Sequence, residues 1–123
     1  MDPRKPLIFV GSTLRDLQRF PAAVQRVFGY ALHVAQSGGR HPDSKPLKGF
    51  SGAGVLEVVE DREGDTYRVV YTVRLGDRVY ALHAFQKKSK RGIATPKQEL
   101  DLIRSRLADA EEIHRRLMED ETR

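Results

Sequence analysis

Between Val55 and Gln86 the chain reads as three consecutive β-type runs separated by two tight turns. Val55 to Glu60 (VLEVVE) is rich in β-branched residues, and Asp61 to Asp65 (DREGD) is a turn. Thr66 to Arg74 (TYRVVYTVR) alternates with a period of two, Gly76-Asp77 turns the chain again, and Arg78 to Gln86 is the last run. Connections this short leave an antiparallel meander as the natural arrangement. A sheet of this kind must bury an apolar face, so the remaining segments are read as its cover.

Those segments carry helical signals. Leu7 to Val10 is a short apolar run after Pro6 and reads as an edge strand. Ser12 or Thr13 can cap a short helix, with Asp16 in its first turn and Leu14 and Leu17 as its inner face. Pro21 suits the first position of a second helix, along which Val24, Val27, Phe28, Ala31 and Ala35 recur at helical spacing. Gly38-Gly39 ends it. Residues 38–54 form a Gly-, Pro- and Ser-rich loop long enough to suggest function. Thr95 is expected to cap a third helix, with Pro96 first and Gln98 completing a capping box. Leu100, Ile103, Leu107, Ala110, Ile113 and Leu117 form its stripe. The expected order is β-α-α-β-β-β-α in an α+β domain, with the helices packed on one face of a mainly antiparallel sheet.

A length of 123 residues gives one domain, 1–123, and the loss of the apolar stripe after Leu117 marks about 111–123 as a tail expected to fray. The net charge is +5 and the pI about 9.7, which points to an anionic partner. The charge is uneven: residues 99–123 hold eight acids and five bases, so the basic excess sits in residues 1–98. With no cysteine there is no disulfide, thiolate metal site or cysteine nucleophile, and a reducing cytoplasm is the expected location. No apolar run approaches the ~20 residues of a membrane span, so no membrane partner is expected. Histidines at 33, 41, 83 and 114 lack metal-ligand spacing, and no nucleotide fingerprint is present, so neither metal nor cofactor is expected.

The cations fall in a pattern. Arg68 interrupts an otherwise apolar strand, on the side opposite Tyr67, Val69 and Tyr71. The last strand ends in Lys87 and Lys88, followed by Lys90 and Arg91. Adjacent strand residues face opposite ways, so one of Lys87 and Lys88 shares the side of Arg68. A guanidinium fixed by a sheet suits bidentate recognition of phosphate. Lys45 and Lys48 lie in the long loop, where solubility alone also explains them. His83, on the strand with Phe85 and Lys87 and alternating with Leu82 and Ala84, titrates in the range useful for proton transfer, though a packed strand histidine is the commoner case. Phe85 can stack on bases.

Taken together, KPLKGF, GVLEVVE, DTYRVVYTVR and VYALHAFQKKSKRGIATP resemble the phage-derived HigB-type branch of the RelE/ParE toxin superfamily, from about residue 7 to residue 110. The resemblance implies a RelE-like fold and a toxin of a type II toxin–antitoxin system. It implies a ribosome-dependent mRNA endonuclease, or mRNA interferase, paired with a helix-turn-helix antitoxin and attracted to ribosomal RNA. It places Arg68 and the Lys87–Lys88 strand end on the catalytic surface, with His83 as a proton-transfer candidate. Lys45, Lys48, Phe85, Lys90 and Arg91 would hold RNA. The chain departs from the RelE pattern in ending its last strand in lysines where an arginine is usual. Two other readings remain open: a ParE-like toxin that binds gyrase without cutting RNA, and a non-catalytic nucleic-acid-binding prophage module.

Overall fold

The computed structural model describes residues 4–50, 52, 54–88 and 95–122. The elements are β1 (Leu7–Phe9), α1 (Thr13–Gln18), α2 (Ala22–Gln36), β2 (Lys45–Pro46), β3 (Val55–Arg62), β4 (Asp65–Leu75), β5 (Arg78–Lys88) and α3 (Lys97–Glu121). The strands form a single sheet in the order β1-β5-β4-β3-β2. The meander is present, with β3, β4 and β5 paired antiparallel. β1 is an edge strand, as expected, and lies parallel to β5. The α+β order read from the sequence holds, with the two-residue β2 added inside the stretch read as a loop.

The hairpin strands run further than the sequence boundaries. Glu63 and Gly64 have φ of 52° and 85°, so both central residues of the two-residue turn take the left-handed values that match the twist of a hairpin. The turn is therefore tighter than the five residues Asp61–Asp65, and pairing continues to Arg62 opposite Asp65. β5 likewise extends to Lys88, whose backbone pairs with Asp65.

The expectation of helices on one face is corrected: the sheet is covered on both. On one side Leu17 of α1, and Val24, Phe28 and Ala31 of α2, pack on Val58, Tyr67, Val69 and Tyr71, whereas Leu14, read as inward with Leu17, is exposed. On the other, Ile103 and Ala110 of α3 pack on Val55, Val70, Tyr80 and Leu82. The reason lies in β4, where Thr66 through Thr72 are all buried, and in β5, where Val79 through Ala84 are. A strand that is apolar on both faces needs cover on both. Each fully buried valine or leucine contributes about 1.5–3 kcal/mol, so one bare face would forfeit a whole core cluster.

The loop read over 38–54 is partly packed structure. Leu47 and Phe50 are buried in the core under α3, and the Arg104 guanidinium lies 4.9 Å from the Phe50 ring centre. The start of α3 also differs from the expected capping box. Pro96 is the N-cap, no side chain caps the helix, and the Thr95 hydroxyl accepts a hydrogen bond from Arg68 Nη1 at 3.2 Å. α2 starts in the same way, with Pro21 as N-cap rather than first helical residue. At the far end α3 continues past Leu117 to Glu121, which pairs with Arg78. Arg115 bridges Glu112 and Glu119 along the helix surface.

Candidate active site

The strand register sorts the candidate residues onto one face. Lys45, Glu57, Val70 and His83 lie in one row across β2, β3, β4 and β5. Val59, Arg68 and Phe85 form the next row, and Asp61, Thr66 and Lys87 the third. Val70 belongs to the core beneath α3, so all three rows face α3, and the third runs toward solvent, with Asp61 exposed and Lys87 partly exposed. Lys87 therefore shares the face of Arg68, one row beyond it. Of Lys88 only the backbone is described, and Lys90 and Arg91 lie outside the described residues.

Arg68 is a buried cation with a buried partner. Its Nη1 donates to Glu57 Oε2 at 3.2 Å, and the two side chains are 10% and 7% exposed. Glu57 also has Lys45 Nζ 3.9 Å from its other oxygen, on a side chain that is 63% exposed. The carboxylate thus sits between one buried and one exposed cation. Sequence reasoning passed over Glu57, yet it left a signal: in VLEVVE the residues facing α3 are Val55, Glu57 and Val59, an acid where alternation asks for a third apolar residue.

His83 reaches this face through a β-bulge. Tyr71 pairs with Ala81 but Val70 pairs with His83, so Leu82 is the extra residue. Simple alternation puts Leu82 and His83 on opposite faces; the bulge puts both beneath α3. There the ring is held on three sides. Arg106 Nη1 donates to Nδ1 at 3.0 Å, Nε2 lies 2.7 Å from Glu99 Oε2, and the Phe85 ring stacks at 4.9 Å and 20°. Because a guanidinium can only donate, Nδ1 must accept, and the neutral ring carries its proton on Nε2, donated to Glu99. Arg106 also bonds the Leu82 carbonyl and the Ser12 hydroxyl, which ties α3 to β5 and to the start of α1. The sequence signal for both partners was again a charge in an apolar stripe: Glu99 and Arg106 fall at helical spacing with Ile103 and Ala110.

Burial lowers the His83 pKa below its ordinary 6.5, and the Arg106 charge adds to this, while the Glu99 carboxylate opposes both. A histidine whose folded pKa is depressed is disfavoured as imidazolium, so its contribution is fully present above 6.5 and is lost as pH falls through the folded value. Thermal unfolding midpoints of the wild type should therefore be flat above pH 6.5 on account of His83 and fall below it. The His83→Asn variant should show a shallower fall. Parallel pH profiles for the two proteins would contradict this.

The remaining candidates divide. Lys45 joins the cluster through Glu57. Phe85 lies in the Arg68 row, but one face of its ring is taken by His83. Lys48 is exposed in the turn between Leu47 and Phe50, and among the described residues no hydrogen bond or ion pair joins it to Arg68 or Glu57. No group of three or more His, Asp or Glu side chains among the described residues is placed to hold a metal ion, and no described helix is long and apolar enough to cross a membrane.

The fold and this cluster can now be set beside known proteins. The isolated RelE toxin of E. coli, in its P21 crystal form, is similar to this chain with a TM-score of 0.50 at 18% identity, covering 82% of this chain and 97% of that one. At that identity the likeness is one of fold. No curated protein matches. Residues 15–108, well over half of the chain and spanning β3 to β5 with most of α1 and the first half of α3, match the family described as phage derived protein Gp49-like (DUF891). By that match the chain belongs to the phage-derived Gp49-like family.

Proposed function

We propose that the protein is the HigB-type toxin of a type II toxin–antitoxin pair and cleaves mRNA on the ribosome. The observation that carries the reading is the placement of Arg68 and Lys87 on one sheet face, in adjacent rows that open toward solvent at the end of β5. The Gp49-like family and the RelE-like fold support it. In the reaction, the 2′-oxygen of one nucleotide attacks the adjacent phosphorus and the bond to the 5′-oxygen breaks. The products are a 2′,3′-cyclic phosphate and a 5′-hydroxyl. A base must take the 2′-hydroxyl proton, an acid must supply one to the leaving oxygen, and cations must stabilise the extra charge on the phosphorane.

Arg68 and Lys87 serve the charge, and Lys88, the next residue along the strand, adds to the general attraction for RNA. Lys45 and Lys48, with Lys90 and Arg91 after the strand, supply attraction to mRNA and ribosomal RNA, which grows steeply as salt falls. Phe85 offers its remaining face to a base. Both ring nitrogens of His83 are engaged, so His83 acts as a positioning residue rather than a free base. Glu57, the carboxylate held against Arg68, becomes the base. Glu57→Gln keeps the size and an acceptor for Arg68 but leaves the buried guanidinium without its counter-charge, so cleavage should fall about 100-fold and the unfolding midpoint should fall with it. Unchanged cleavage would reduce Glu57 to an anchor for Arg68. The partner is a helix-turn-helix antitoxin that covers the cationic face or blocks entry to the ribosome.

Induced expression with mapping of mRNA ends tests the reading: new ends inside translated regions are expected, and growth arrest without them would contradict it. One observation favours the gyrase-binding alternative, namely that the Arg68 charge is already met by Glu57. Undiminished supercoiling by gyrase in the presence of purified protein removes that alternative.

A further inference from the structure

A pocket of about 490 Å³ opens at the other end of the sheet, between the C-terminal end of α2 and the edge formed by β2 and β3. Its volume is in the range of ligand sites, which run roughly 300–1,000 Å³. Arg74, on its wall, is six residues along β4 from Arg68, which puts the pocket about 20 Å from the candidate active site. Leu47, Phe50, Leu56 and Val73 give it an apolar floor, and Lys5, Arg40 and Arg74 give it cations. Among the described residues no acidic one lines it.

Two of the three cations, Arg40 and Arg74, are held by neutral groups. Arg40 Nε donates to the Ser44 hydroxyl at 3.1 Å, and Arg74 Nη1 donates to the Gly52 carbonyl at 3.2 Å. The Arg74 stem lies so close over Gly54 that a Cβ there would fall 2.0 Å from its Cγ, so a glycine at 54 is what leaves room for this arginine. Among the described residues none of the three is within ion-pair distance of a carboxylate, whereas Lys45, Arg78, Arg104, Arg115 and Arg116 all are. Cations gathered without counter-charge around an apolar floor complement a ligand that is both acidic and apolar. Phe50 is the one aromatic ring among the described lining residues, and Arg104 lies over one of its faces, so there is no run of rings on which successive bases could stack, which disfavours single-stranded RNA.

We infer that this pocket docks an acidic peptide segment of a partner protein, with carboxylates on Lys5, Arg40 and Arg74 and an apolar side chain on the floor. The inference is independent of RNA cleavage and is read out separately from it. The probe is a synthetic octapeptide of alternating glutamate and leucine, titrated into the ¹⁵N-labelled full chain. Its glutamine–leucine analogue and an octauridylate serve as rivals. The acidic peptide should shift the amide signals of Gly38, Gly39, Gly52 and Gly54 saturably. The glutamine analogue, and the acidic peptide on an Arg40→Glu/Arg74→Glu variant with an otherwise unchanged spectrum, should each bind at least tenfold more weakly. The inference is overturned if those glycines do not move, if the two peptides bind alike, if the charge reversal has no effect, or if octauridylate rather than peptide moves them. Shifts confined to Arg68 and Lys87 would also overturn it.

Discussion

Arg68→Ala should lower the stability of the fold by about 3–5 kcal/mol, the cost of leaving a buried charge without its partner. Glu57 is 5% exposed as a residue. With the guanidinium gone, the described cation nearest its carboxylate is Lys45, at 3.9 Å on a largely exposed side chain. Water screens such a contact and the lysine stem loses entropy in making it, so it replaces little of what is lost. For a domain whose total stability is about 5–15 kcal/mol, the change is large enough to leave part of the protein unfolded at growth temperature. Removing both charges should undo most of the damage. Arg68→Met combined with Glu57→Leu substitutes apolar groups of similar size and should unfold within about 1 kcal/mol of the wild type. Urea unfolding of the three proteins checks this. A loss below about 1 kcal/mol for Arg68→Ala would show that the pair is more solvated than its burial indicates. The practical consequence is that loss of toxicity in Arg68→Ala alone cannot be read as loss of chemistry.

Lys87→Ala should leave stability within about 0.5 kcal/mol of the wild type and lower mRNA cleavage by about 10–100-fold. Lys87 lies near the end of β5, partly exposed, opposite Thr66 and one row beyond Arg68. Truncating it removes no core contact. It removes an accessible cation on the proposed cleaving face, while Arg68 is already engaged by Glu57 and Thr95. An ammonium aimed at the developing phosphorane stabilises charge that grows only in the transition state, so its loss should lower kcat more than it raises KM. If Lys87 serves only to attract RNA, the loss should appear in KM and vanish when the salt concentration is lowered.

The meander, the helix stripes and the cationic strand end were legible because each follows a single periodic rule. Placing the helices on one face fails because β4 is buried on both, with Tyr67, Val69 and Tyr71 on one side and Arg68, Val70 and Thr72 on the other. His83 shows another limit. A bulge at Leu82 adds one residue to β5, and nothing local in YALHAF announces it, so alternation carried through the bulge misplaces a face. Glu57, Glu99 and Arg106 were legible in principle, as charges set in apolar stripes. What the sequence withheld was their partners, since the contacts Glu57–Arg68 and Glu99–His83 join different elements. Thr95 carries the same lesson, because its hydroxyl is taken by Arg68 across the fold rather than by the helix it precedes.

The claim at the centre is that the Arg68–Glu57–Lys87 face cuts RNA. Its most direct measurement is the rate at which ribosome-bound mRNA is cleaved by the Arg68→Met/Glu57→Leu protein, whose apolar pair should preserve the fold. The rate should fall at least about 100-fold, as loss of a preorganised charge-stabilising group does elsewhere, while the unfolding midpoint stays near that of the wild type. A folded double variant that cleaves at the wild-type rate would place the chemistry elsewhere on the protein.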